Sequence, residues 1–63
     1  MTIILSRLSK TGSNMAGSTH WDKHTGYGFI VRNGEGGEPL VQKDCYATKG
    51  RAMRALRRWM RTH

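Results

Sequence analysis

The 63-residue chain has little cysteine, few acidic residues and no long apolar run. Its single cysteine excludes an internal disulfide and is more typical of a reducing compartment than of a secretory route. The N-terminal apolar cluster, Ile3-Ile4-Leu5, is too short for a signal peptide or a membrane span. We therefore expect a soluble, cytoplasmic protein with no membrane span.

The shortage of acids is uneven along the chain. Four acidic residues stand against eleven lysines and arginines, and the formal net charge is +7. Residues 49–63 hold six of the eleven basic side chains and none of the acids. Such asymmetry indicates a polyanionic partner, which could be nucleic acid, an acidic protein surface or anionic lipid. No catalytic motif accompanies it, so we expect neither an enzyme nor a cofactor.

The size of the chain limits its core. A domain of this length buries only about 60% of the surface of its unfolded chain, so the core is marginal and a partner subunit would help it. A homodimer is therefore one expectation. The apolar residues available for the core are Trp21, Tyr27, Phe29, Val31, Leu40, Val41, Tyr46, Met53, Leu56 and Trp59, with Ile3, Ile4 and Leu5 as an addition.

The first third of the chain divides into two segments by composition. Residues 1–8 are rich in β-branched side chains and form a candidate strand. Residues 9–19 are small, polar and rich in Gly and Ser, which predicts a flexible linker. The compact domain is then expected over residues 20–63.

Within that domain the patterns predict strands joined by tight turns. Residues 20–22 begin a strand, residues 22–26 supply Asp and Gly for a turn, and residues 27–32 alternate apolar positions. Asn33-Gly34 is a favoured turn dipeptide, and residues 40–43 give a third strand. The prediction is an α+β fold: a three-stranded antiparallel sheet, to which the N-terminal strand can be added, packed by one C-terminal amphipathic helix.

The helix is expected from residue 49 to about residue 61, with Thr48 as its N-cap. At 100° per residue, the apolar side chains fall in one arc and the arginines in the opposite one. The predicted binding residues for nucleic acid or an acidic partner are Lys49, Arg51, Arg54, Arg57, Arg58 and Arg61. Thr48, Lys49 and Gly50 at the helix start are a second candidate, for a single phosphate.

The turn and cap patterns carry a family resemblance. The segment Asp22-Lys23-His24-Thr25-Gly26, the turn Asn33-Gly34-Glu35, and Tyr46-Ala47-Thr48-Lys49 followed by small residues at 52 and 55 resemble the YegP-like small ββ-α domains over residues 21–59. The resemblance implies the fold and no activity, since that family has no established one. The loop after Asn33 has extra glycines, and the helix is more basic than the family pattern.

A sheet backed by one helix also resembles the sheet-reading DNA-binding modules of plant transcription factors and phage integrases. The exposed sheet face would then present Arg32 and Gln42, with Lys23 or Lys43. This set is thin for a base-reading surface.

Other candidate sites are weaker. Trp21, Tyr27 and Phe29 could stack bases, but so small a core needs them for packing. No metal site is expected, because His20 and His24 flank a turn, while Cys45 and His63 lie far from them and from each other in sequence. The default expectation for the lone cysteine is a buried thiol.

These observations favour a small basic protein that contacts DNA or RNA phosphates with low sequence specificity. The alternative is a phage-like small inhibitor or adaptor that binds an acidic surface of a host protein. A third, weaker interpretation places the amphipathic helix on an anionic membrane surface.

Overall fold

The protein is seen in a computed structural model that describes residues 1–10, 12 and 14–62. Four strands are followed by one helix: β1 (Thr2–Ser9), β2 (Met15–Asp22), β3 (Gly26–Asn33), β4 (Pro39–Tyr46) and α1 (Lys49–Thr62). The strands form a single antiparallel sheet in the order β1-β2-β3-β4, so each strand pairs with its neighbour in sequence. The predicted α+β class is confirmed, and the N-terminal strand belongs to the sheet.

The flexible linker predicted for residues 9–19 is corrected by the structure. Ser9 ends β1, and residues 15–19 are the first part of β2, an inner strand of the sheet. The small side chains of this segment reflect the close approach of α1. A Cβ added at Gly17 would lie 2.6 Å from Leu56 Cδ1 and 3.1 Å from Met60 Sδ. Glycine at position 17 is therefore a packing requirement.

The helix covers one face of the sheet and leaves the other, which we call the open face, uncovered. The apolar residues buried between the sheet and the helix are Phe29 and Val31 of β3 and Ala52, Leu56 and Met60 of α1. Predicted core residues Trp21 and Tyr27 lie opposite each other in the β2–β3 register and are half-buried.

Three predicted core residues are exposed instead. Leu40 is 50% exposed, Ile3 46% and Ile4 49%. Leu40 is the extra residue of β4 where the register shifts between Val31↔Val41 and Arg32↔Pro39, and its side chain is not among those packed against the core, unlike that of Val41. Ile3 and Ile4 belong to an outer strand and receive little cover from α1.

A β-bulge interrupts β4 near its end. Between Phe29↔Lys43 and Tyr27↔Tyr46, the register advances two residues on β3 and three on β4. Cys45 lies in this bulge with a φ of +69°, a left-handed conformation rare for a residue other than glycine. Its side chain is exposed, so the expectation of a buried thiol is wrong. The bulge ends the strand and directs the chain towards α1.

Candidate nucleic-acid interface

Thr48 fixes the start of the helix that carries the predicted binding residues. Its Oγ1 accepts a hydrogen bond from the Arg51 backbone N–H at 3.2 Å, and its carbonyl oxygen accepts one from Ala52 N–H at 3.2 Å. This is the N-cap expected from the sequence. A phosphate at the helix start would compete with the Thr48 hydroxyl for the Arg51 N–H. The candidate phosphate site of Thr48, Lys49 and Gly50 is not tested by the structure and stays a prediction.

The apolar side of α1 fixes the rotation of the helix. Ala52, Leu56 and Met60 recur every four residues and are 0%, 0% and 4% exposed. Met53 and Trp59 flank them, partly buried and packed against the same core. Because these side chains are held against β2 and β3, the opposite side of α1 must face solvent.

That solvent side is the arginine face, which we define as Arg51, Arg54, Arg57, Arg58 and Arg61. All five side chains are exposed. At 1.5 Å rise per residue, the face is about 15 Å long. Lys49, at the first residue of α1, is also exposed. The structure thus brings all six predicted binding residues onto the solvent-exposed surface of one helix.

Three of the four acidic side chains are engaged elsewhere. The Asp22 carboxylate lies 3.8 Å from the N-terminal ammonium group, Arg7 Nη1 lies 3.1 Å from Glu35 Oε1, and His20 Nε2 lies 2.7 Å from Asp44 Oδ1. Over the described chain, none of these ion pairs involves the arginine face. Within residues 1–10, 12 and 14–62, its positive charges are therefore not compensated by carboxylates.

Shallow grooves run between the arginine side chains. One is lined by Met53, Arg57 and Arg61 and the other by Thr48, Arg51 and Ala55, while Gly50, Arg54 and Arg58 border both. Gly50 contributes no side chain at the end where they meet. The surface therefore offers a ridge of guanidinium groups with space for an oxyanion on either side.

The aromatic candidates do not form an exposed stacking platform. Phe29 is 1% exposed, and its ring lies 6.1 Å from that of Tyr46, tilted by 35°. Trp21 and Tyr27 are half-buried on the face of the sheet that α1 covers. Packing, as expected, is the role of Phe29.

The candidate base-reading residues on the open face are dispersed. Arg32 Nη1 donates to the Gly37 carbonyl at 3.1 Å, and Gln42 Nε2 lies 3.5 Å from Asp44 Oδ2. Lys23 is in the β2–β3 turn. Lys43 pairs in register with the buried Phe29, so it lies on the side of the sheet that α1 covers, and its predicted place on the open face is wrong. These side chains do not form one cluster of outward-facing donors.

One polar contact on the open face was not among the sequence-based predictions. His20, 6% exposed, reaches across β3 to Asp44 on β4, and Gly28 lies beneath the hydrogen bond. The usable signal was Gly28, because a glycine inside a strand often marks a close approach. His24 lies in a turn and His63 lies outside the described residues. In the part of the chain that is described, no group of three metal-ligating side chains occurs.

Comparison of the chain with protein-family models, with curated proteins and with solved structures gave no match. The likeness to YegP-like domains therefore rests on the turn and cap motifs alone. Over the described residues, no helix combines the length and apolar content needed to cross a lipid bilayer.

Proposed function

We propose that this protein is a non-enzymatic binding protein that contacts nucleic acid phosphates through the arginine face. The observation that carries the proposal is a set of five exposed arginines on one side of α1, none paired with a carboxylate of the described chain. A face evolved only for solubility usually interleaves both signs of charge.

The chemistry of the guanidinium group supports phosphate as the ligand. Arginine donates two parallel N–H bonds to one phosphate and keeps its charge at all physiological pH values. Phosphates of one strand in a duplex are spaced about 3.4 Å along the axis, so a face about 15 Å long spans roughly four of them. Four or five simultaneous contacts are therefore within reach.

Specificity for base sequence should be low. Phosphate contacts position a protein on nucleic acid, whereas base-edge contacts specify the sequence. The arginine face has no amide or carboxylate side chain, and the polar residues of the open face lie on the other side of the molecule. Affinity should accordingly depend on charge density more than on sequence.

The test is the salt dependence of binding to labelled duplex and single-stranded oligonucleotides, measured by fluorescence anisotropy from about 50 to 300 mM salt. Each phosphate contact on duplex DNA contributes about −0.9 to the slope of log K against log salt, so the expected slope is about −4. No binding at the lowest salt, or a flat dependence, would refute phosphate recognition and leave an acidic protein surface as the partner.

A charge-matched pair of variants separates the arginine face from net charge. The test variant replaces Arg54, Arg57 and Arg58 by Gln, and the control replaces three cations outside α1, Lys10, Lys23 and Lys43, by Gln. We expect the magnitude of the slope of log K against log salt to fall by nearly 3 in the test variant and by less than 1 in the control. Equal losses in the two variants would show that the charge of the whole molecule, and not this face, drives binding.

A further inference from the structure

The two outer strands of the sheet have unequal edges. β4 begins at Pro39, which has no N–H to donate, carries Lys43, and is interrupted by the bulge at Cys45. Each of these features discourages pairing with another strand. β1 is eight residues long, contains neither proline nor glycine, and starts with three β-branched residues. It has one irregularity, a register shift at Leu5.

The exposed side chains of β1 include two isoleucines, and its charges are paired. Ile3 and Ile4 are 46% and 49% exposed. The strand's one charged side chain, Arg7, is bonded to Glu35 at 3.1 Å, and the N-terminal ammonium group lies 3.8 Å from the Asp22 carboxylate. A strand approaching this edge therefore meets backbone donors and acceptors, the apolar Ile3 and Ile4, the small hydroxyl side chains of Thr2 and Ser9, and positive charges that are each paired with a carboxylate.

We propose that β1 pairs antiparallel with β1 of a second copy of this chain, joining two four-stranded sheets into one. An antiparallel pair of identical strands is self-complementary, so one edge serves both subunits around a two-fold axis. A second copy suits this edge because its own β1 is equally neutral. The pairing also covers Ile3 and Ile4 in a chain whose core is small.

The positive charge of the chain does not prevent this association. A two-fold axis normal to the joined sheet places both helices on the same face. Each α1 lies over β2 and β3, so the two helices stand about four strand spacings apart, roughly 19 Å. This exceeds the Debye length of about 8 Å at physiological salt, so repulsion between the arginine faces is largely screened.

The dimer has one consequence for nucleic acid binding, and this consequence rests on the proposed function. Both arginine faces would point to the same side of the joined sheet, and one polyanion could contact the two together. A long oligonucleotide would then show a salt slope about twice that of one short enough to reach a single face. The dimer itself does not depend on nucleic acid.

The experiment is sedimentation equilibrium of the full chain without nucleic acid. We expect twice the chain mass of 7.1 kDa for the wild type. Ile3→Lys and Ile4→Lys should give the monomer mass. Leu40→Lys is the matched control, because Leu40 is equally exposed, at 50%, on the other outer strand. It adds the same charge and should remain dimeric. A monomeric wild type, or dissociation caused by Leu40→Lys alone, would overturn the proposal.

Hydrogen exchange of the wild type gives a second measurement that needs no variant. Amides of β1 should gain protection as protein concentration rises, while those of β4 should not change. Concentration-independent exchange in β1 would refute the pairing. Oligonucleotide binding by the monomeric Ile3→Lys variant, compared with Leu40→Lys, tests the arginine face separately, so failure of either proposal can be recognised alone.

Discussion

Replacing Gly28 by Ala should be among the most damaging single-methyl additions to this protein. A Cβ at this position would lie 2.5 Å from the Lys43 carbonyl oxygen, 2.7 Å from His20 Nε2 and closer still to Asp44 Oδ1. Real Cβ atoms do not approach oxygen or nitrogen so closely. The methyl group must therefore displace both the β4 backbone and the His20–Asp44 hydrogen bond.

The expected cost follows from these two displacements. Overpacking against backbone costs about 1 to 3 kcal/mol. Loss of a hydrogen bond that leaves the buried His20 ring without its carboxylate partner costs a further 1 to 3 kcal/mol or so. We expect a total of about 2 to 6 kcal/mol, a large share of the stability of a domain of this size. Urea unfolding followed by far-UV circular dichroism measures it.

Gly50→Ala is the matched control because it makes the same chemical change in open space. The nearest atom to its added Cβ is Thr48 Oγ1 at 3.9 Å, and the residue lies in the first turn of α1. Alanine favours the helix over glycine, so this variant should be more stable by roughly 0.5 to 1 kcal/mol. A Gly28→Ala variant within about 1 kcal/mol of wild type would refute the packing argument.

Three further predictions concern single positions. Cys45→Gly should raise the free energy of unfolding by about 1 kcal/mol in urea titrations, since glycine relieves the left-handed strain, and a destabilised variant would contradict this. Leu56→Ala should lower it by about 2 to 5 kcal/mol, because Leu56 is fully buried against β2; a loss below 1 kcal/mol or so would show that the core does not depend on it. The pKa of Asp22 is lowered from 3.8, chiefly because its carboxylate accepts the His24 backbone N–H and then the Thr2 hydroxyl. The contribution of the Asp22 carboxylate to stability is therefore present above about pH 4 and lost on further acidification through the folded-state pKa. Asp22→Asn should weaken the acid dependence of the urea midpoint, and an unchanged pH profile would disprove this.

The helix is the element most fully predictable from the sequence. Its apolar residues repeat with the helical period, and Thr48 precedes them as a cap, so both the element and its start follow from local chemistry. The exposed arginine face follows as well, because burial of one side of a helix fixes what the other side presents. The identity of the polyanion does not follow, since DNA, RNA and acidic proteins attract the same guanidinium groups.

The inner strand β2 is much less predictable. Gly17, Ser18 and Thr19 have the composition of a linker, although Gly17 and Thr19 are buried. The missing side chain of Gly17 matches the proximity of Leu56, which is almost forty positions later in the chain. The His20–Asp44 contact is hidden for the same reason: it joins β2 to β4, which are not neighbours in the sheet. Local patterns carry no information about such distant partners.

The order of the elements has a consequence for synthesis of the protein on the ribosome. Each strand pairs with the one before it, so the sheet can assemble as the chain emerges. Its apolar face, however, is covered only by α1, the element that follows all four strands. Phe29 and Val31 therefore lack their cover until α1 has left the ribosome and packed, so chaperone contact should be concentrated before α1 docks on the sheet.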